Sequence, residues 1–333
     1  MKKTVSVILL VCMVFALAAC GGAKEADYKL GMGVSVSTDS SDTLNAQVDA
    51  TAAAVVLDAD GKIVACRIDC AQSKMDVTDG AVDTAKTFKT KMELGDDYGM
   101  VAYSDAVAEW DAQAMAFESY VIGKTGAEVG GMETVVNEGG HNVTTDETLY
   151  ASCSISISAF IDAVVKACAD EKGASFKSAG EFTLGIAAIT AADESTAATA
   201  DAEGVVKMYT EFGAVVKSAD GKILASLTDA IQPQIGINDA GEITTVTFKG
   251  TKRELGADYG MVAYGNAVAE WDAQAKAFAD YTVGKTADEV RSIETVVNDE
   301  GHSVTTDETL LATCTMSIAG MMNVIAQAAD YAR

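Results

Sequence analysis

One proline (Pro233), two tryptophans and two histidines are all that this chain of 333 residues carries of these three types. With a single proline, no segment can act as a proline-rich spacer. His141 and His302 stand outside any H-E-x-x-H pattern, so a metalloprotease helix is excluded, and no G-x-S-x-G elbow offers a serine nucleophile. Basic side chains are also scarce: 24 Lys and Arg face 49 Asp and Glu, a net charge of −25. Such a chain is repelled by phosphate backbones and by anionic lipid surfaces, which excludes a general nucleic-acid binder. What is plentiful is apolar: 49% of residues are hydrophobic and 22% charged, the composition of a folded globular protein. The length suggests two domains.

The first residues form an export signal. Lys2 and Lys3 precede an apolar run from Thr4 to Ala16, which is shorter than the roughly 20 residues of a membrane span. Leu17-Ala18-Ala19-Cys20-Gly21-Gly22 follows and resembles the lipobox of bacterial lipoproteins. The resemblance implies cleavage before Cys20, a lipid thioether on that cysteine, and a tether to the bilayer on the extracytoplasmic face, at a Gram-positive cell surface. Two or more acyl chains anchor stably where one does not. Residues 1–19 are then the signal peptide and 20–28 the tether. No later stretch is long and apolar enough to span a bilayer.

Cys66, Cys70, Cys153, Cys168 and Cys314 remain, an odd number that argues against a complete disulfide framework. Cys66 and Cys70 lie four apart on a predicted strand, on one face and ~13 Å apart along it, too far to bridge. Cys153 and Cys314 hold equivalent places in a repeat and read as small buried hydrophobes. None has zinc-ligand spacing, and no metal site is expected.

The repeat fills the mature chain. The segment from Lys91 to Tyr120 returns without a gap from Lys252 to Tyr281, and HNVTTDETLYASCSISI returns as HSVTTDETLLATCTMSI. Upstream, VVLDADGKIVACRIDCAQ is echoed more loosely by VVKSADGKILASLTDAIQ, and LGMG near Leu30 by LGIA near Leu184. A period of about 160 residues is a duplicated domain rather than a solenoid. Repeat domains are assigned to 29–170 and 181–333, with a polar, glycine-bearing linker at 171–180, and each is expected to bury its own core.

Both copies have the same predicted layout. Asp60-Gly61 and Asp220-Gly221 supply the positive φ angles of hairpin turns, and further hairpins are expected at Asp79-Gly80 and Ala240-Gly241. Val107, Trp110, Ala114, Phe117 and Val121 recur at three- and four-residue steps, one apolar stripe of a helix. Gly123 and Gly284 end that helix, and Thr125 to Glu128 and Thr286 to Glu289 open the next with capping boxes. A strand is expected from Ser152 to Ile157 and a last helix from Ser158 to Asp170. The class is α+β: two tandem domains, each an antiparallel β half followed by helices, one late strand and a C-terminal helix.

Several patterns imitate catalytic motifs. Gly123-Lys124-Thr125 looks like the end of a phosphate-binding loop, but Glu118 replaces its first glycine and a helix precedes it. Asp58-Ala59-Asp60-Gly61 has its glycine two places too early for a calcium loop. With no catalytic set assembled, a non-catalytic protein is expected.

Three repeated features are candidates for function. Lys91, Glu93 and Tyr98, framed by Gly95 and Gly99, recur as Lys252, Glu254 and Tyr259. They read either as a ligand pocket or as a joint docking the β half onto the helix. Glu109-Trp110-Asp111-Ala112-Gln113 recurs at Glu270 to Gln274, with Trp110 in the core and its neighbours on the solvated side. His141 with Asp146 recurs as His302 with Asp307, where Asp146 reads as a helix cap.

Both copies are also similar in parts to the FMN-binding domains of envelope lipoproteins. Asp60-Gly61-Lys62-Ile63 and Asp220-Gly221-Lys222-Ile223 match that family's hairpin. Asp146…Ala151-Ser152 and Asp307…Ala312-Thr313 match the ends of its attachment motif, with Leu149-Tyr150 and Leu310-Leu311 in place of the central hydroxyl residue and glycine. The resemblance implies covalent FMN on Ser152 and Thr313 and a role in electron transfer. The leading expectation from the residues themselves is a tethered, duplicated binding module whose partner is a small molecule, a wall component or an envelope protein.

Overall fold

The computed structural model describes residues 25–333 apart from 105 and 266. The signal peptide, Cys20 and the tether up to residue 24 lie outside the described residues. In the first repeat the elements are β1 (Ala26–Ser37), β2 (Asn45–Leu57), β3 (Ile63–Asp76), α1 (Lys91–Leu94), α2 (Met100–Tyr103), α3 (Trp110–Val121) and α4 (Gly126–Gly130), followed by β4 (Thr134–Val136), β5 (Asn142–Thr144), α5 (Glu147–Tyr150), α6 (Ser158–Ala169) and β6 (Ala174–Ser178). The second repeat has β7 (Phe182–Ala191), β8 (Gly204–Lys207), β9 (Tyr209–Ser218), β10 (Ile223–Ile231), β11 (Gln234–Ile237) and β12 (Ile243–Thr247). Then come α7 (Lys252–Leu255), α8 (Met261–Gly265), α9 (Trp271–Thr282), α10 (Ala287–Arg291), β13 (Thr295–Val297), β14 (Ser303–Thr305), α11 (Glu308–Leu311) and α12 (Ala319–Asp330). The chain is a mixed α+β protein with antiparallel sheets. Among the described residues no helix is long and apolar enough to cross a membrane.

Two principal sheets carry the fold, in the orders β3-β2-β1-β6 and β10-β9-β7, with β12-β11-β8 as a third. The hairpin registers follow from the Asp-Gly turns: Leu57 pairs with Ile63 and Lys217 with Ile223, with Gly61 at φ 75° and Gly221 at φ 83°. From Ala50 to Leu57 strand β2 reads ATAAAVVL, with Thr51 its single polar residue, because both faces of this stretch are buried. Ala52, Ala54 and Val56 face the opposite sheet, while Ala53, Val55 and Leu57 face the helices.

The expectation of a separate core in each repeat is corrected. Leu30, Met32, Val34 and Val56 form one continuous cluster with Leu184, Ile186, Phe212, Val216 and Leu227 of the second repeat. Helices α3 and α6 cover the outer face of the first sheet, and α9 and α12 that of the second. The order is helices, sheet, sheet, helices. The repeats share the middle, because an antiparallel sheet with two apolar faces needs a cover on each.

Close helix–sheet contact explains the glycines of LGMG and LGIA. A Cβ on Gly31 would lie 2.0 Å from the Ala167 carbonyl oxygen of α6, and one on Gly185 would lie 1.8 Å from the Ala328 carbonyl oxygen of α12. Glycine lets the helix backbone rest directly on the strand.

Other expectations change in detail. β1 starts at Ala26, inside the segment assigned as tether. The segment assigned as linker contains β6, which pairs with β1 from Ala26↔Ser178 to Leu30↔Ala174. Asp79-Gly80 belongs to a single 3-10 turn with no return strand, whereas β11 and β12 do form the corresponding hairpin. The run from Ser152 to Ile157 makes no ladder; the late strands are β4 and β5, a small hairpin upstream. Val107 lies before α3 and is exposed. Cys66, Cys70, Cys153 and Cys314 are buried free thiols.

Replacing Gly185 with Ala is expected to lower unfolding stability by about 1–3 kcal/mol, since the obstructing atom is backbone. Gly180→Ala, which meets nothing within 4 Å, should stay within about 0.5 kcal/mol of wild type. Urea unfolding of both variants measures the contrast.

Candidate functional site

The Lys91 loop begins with Thr90, whose hydroxyl accepts the Glu93 amide hydrogen while the Glu93 carboxylate accepts that of Thr90. This capping box sets up α1, and Gly95 (φ 48°) and Gly99 (φ 79°) make the two turns that follow. Asp69 on β3 then fixes the helix to the sheet: its Oδ1 accepts the amides of Cys70 (2.7 Å) and Met92 (3.2 Å). Asp229 does the same with Ala230 (2.8 Å) and Arg253 (3.0 Å). Burial raises the carboxyls of Asp69 and Asp229 to about 6, partly offset by these amide bonds.

The structure brings Lys91 and Tyr98 together and turns Glu93 away from them. The Lys91 ammonium lies 4.8 Å from the Tyr98 ring centroid and 5.6 Å from that of Trp110. Lys252 sits deeper, 4.6–5.3 Å from the rings of Tyr209, Tyr259 and Trp271. The aromatic faces replace part of the lost hydration of each ammonium. Glu93 Oε1 instead accepts hydrogen bonds from Gln327 (2.7 Å) and Tyr331 (3.0 Å) of the second repeat, while Glu254 meets Lys166 of the first at 3.3 Å.

These last contacts belong to a reciprocal exchange. The end of α6 reaches α7 through Lys166, Asp170 and Lys172, and the end of α12 reaches α1 and β3 through Gln327, Tyr331 and Arg333. Each repeat thus offers the other the same two patches, as in a two-fold dimer. The chemistry differs at one place. In one exchange Arg253 makes a bidentate pair with Asp170 at 3.0 and 3.1 Å, both side chains 9% exposed. In the other, Met92 and Tyr331 hold these positions and a cavity of about 290 Å³ opens, lined by Arg67, Asp69, Met92, Glu93, Ile186, Tyr331 and Arg333. Buried Glu118 joins Arg67 (3.4 Å) and Arg333 (2.9 Å) behind it, and burial raises the Glu118 carboxyl against the pull of both arginines. Arg67, Met92 and Tyr331 differ from their repeat partners, so comparing the copies for identity passes over this place.

The Glu109–Gln113 segment is a correction. Its polar side chains are not a solvated face: Glu109 accepts the amides of Met100 (2.7 Å) and Val101 (3.0 Å) and so caps α2. Gln113, fully buried, donates to the Ala108 carbonyl (2.7 Å) and accepts the Ser154 amide (2.8 Å). Glu270 and Gln274 repeat these roles. Both ends of the stretch from Gly99 to Glu109 are therefore anchored, while Val101, Tyr103 and Val107 are exposed, as are Val262, Tyr264 and Val268. Tyr103 and Tyr264 are each 91% exposed.

A wide groove of about 550 Å³ beside α9 and α10 is lined by Tyr281, Lys285, Glu289 and Asp307 among others. Tyr281 donates to Asp307 at 3.1 Å, and Asp307 caps α11 just as Asp146 caps α5. His141 and His302 are exposed on turns. Ser152 and Thr313 are exposed, each donating to a carbonyl three residues back (3.2 and 3.1 Å), and neither lines the two cavities described. Among the described residues no group of three or more His, Cys, Asp or Glu could hold a metal.

Arg253→Met leaves a buried carboxylate without its cation and is expected to cost roughly 3–5 kcal/mol in chemical denaturation. Asp229 keeps its proton to a higher pH in the folded state (about 6) than its ordinary value of 3.8 allows. Stability from this group is therefore present at low pH and lost as pH rises from about 4 to above 6. Relative to Asp229→Asn, the wild type should lose on the order of 3 kcal/mol between pH 4 and pH 7, measured by urea unfolding at each pH.

Compared with protein-family models, curated proteins and solved structures, the chain matches none.

Proposed function

We propose that this chain is a non-catalytic binding protein of the bacterial envelope, tethered through lipid on Cys20. Its docking elements are the two loops bearing Tyr103 and Tyr264, and its partner is another envelope protein. One observation carries the reading. Gly99-Met-Val-Ala-Tyr103 and Ala106-Val-Ala-Glu109 recur unchanged as Gly260 to Tyr264 and Ala267 to Glu270, although their valines and tyrosines face solvent. Packing accounts for a kept core, but it gives no reason to keep exposed apolar side chains. Glu109 and Gln113 hold each loop in place, which lowers the ordering cost of binding. Tyrosine is among the residues enriched as anchors of protein interfaces, and two like loops on one chain can add avidity. The net charge of −25 turns polyanions away.

The leaderless chain, fluorescently labelled, should bind protoplasts of the source bacterium saturably. Binding should disappear after protease shaving of the cells. The double variant Tyr103→Ser/Tyr264→Ser should bind at least about tenfold more weakly while melting as wild type does. Binding indifferent to both treatments, or carried by purified wall sacculi, would refute the protein-partner reading. Mass spectrometry of the native product should find Cys20 acylated at the N-terminus. A yellow product whose flavin fluorescence survives denaturation would replace this reading with that of an electron carrier.

A further inference from the structure

The two exchanges between the repeats use equivalent positions, yet one is filled and the other is hollow. In the filled one, the Arg253 side chain lies beside Asp229 and pairs with Asp170. In the hollow one, Met92 is shorter and uncharged, Tyr331 replaces the acid, and the 290 Å³ cavity takes the place of the guanidinium. Asp69 and Glu93 line that cavity. Asp69 is 2% exposed and accepts hydrogen bonds from the amides of Cys70 on β3 and Met92 on α1 and from the Thr90 side chain, all within the first repeat. Arg67 and Arg333, both paired with Glu118, are also part of the wall. Met92 and Ile186 supply apolar surface in the same wall.

We infer that this cavity between the repeats is a binding site for a free α-amino acid. The ammonium group lies against Asp69 and Glu93, the carboxylate toward Arg333, and the side chain on Met92 and Ile186. The copy-two geometry supplies the precedent, since there a cation on an aliphatic stem occupies the equivalent space. A lone cation would meet the Arg67 and Arg333 guanidiniums, and a lone anion would meet the Asp69 and Glu93 carboxylates, so a ligand with both charges satisfies the walls best. The volume is at the small end for ligand sites and suits a molecule of that size. The site is separate from the tyrosine loops and does not depend on their role.

Thermal melting of the leaderless chain against each of the twenty amino acids at 10 mM tests this. At least one should raise the melting temperature by about 3 °C or more, the shift mass action gives a ligand well above its dissociation constant. For that amino acid, the matching alkylamine without the carboxylate and the matching acid without the amine should each bind at least about tenfold more weakly in calorimetry. Met92→Arg, which installs the residue of the filled copy, should abolish binding. Asp69→Asn should weaken it at least about tenfold with unchanged circular dichroism, and it decides the matter should Met92→Arg fail to fold. No shift with any amino acid, equal binding of either half-ligand, or full affinity in Asp69→Asn or in folded Met92→Arg overturns the assignment.

Discussion

The face-to-face burial of two antiparallel sheets governs this molecule. Leu30, Met32, Val34 and Val56 from one repeat and Ile186, Phe212, Val216 and Leu227 from the other leave water together. Each buried side chain of this size is worth roughly 1.5–3 kcal/mol, and neither sheet can collect that gain without the other. The helices of each repeat cover only the outer face of their own sheet. Everything else, from the reciprocal ion pairs to the cavity, lies at the margin of this shared layer.

Sharing a core lets two similar halves diverge at their contacts. The exchange of helix ends is satisfied once by Arg253 with Asp170, a charged pair that fills its space. It is satisfied the second time by Glu93 with Gln327 and Tyr331, hydrogen bonds that hold the same surfaces but leave a volume with charged walls. Divergence at Met92 and Tyr331 thus gives one copy a cavity where the other has an ion pair.

The capping boxes at Thr125 and Thr286, the turns at Asp60-Gly61 and Asp220-Gly221 and the buried Trp110 could be read from the chain because each is a local device spanning a few residues. The paired Lys91 and Tyr98 were also visible as a repeated pattern, though not their aromatic enclosure. Glu109 and Gln113 were misread because helix periodicity puts them beside Trp110 on polar positions. Their partners lie in a loop nine residues upstream and in a segment forty-one residues downstream. The strand expected from Ser152 to Ile157 is not formed, and there Gln113 accepts the Ser154 amide that a ladder would have used.

Residue order by itself determined the α+β class, the Asp60-Gly61 and Asp220-Gly221 turns and the capped starts of α4 and α10, since these depend on neighbours and on periods of two or 3.6 residues. Tertiary structure alone decided which apolar face meets which, and that the assigned linker becomes a strand beside β1. It also decided that Arg253 and Met92, equivalent in sequence, stand one over a sealed ion pair and one over an open cavity. The physical reason is that burial is non-directional: a sequence can mark a surface as apolar, but only the assembled chain shows what covers it and what remains uncovered.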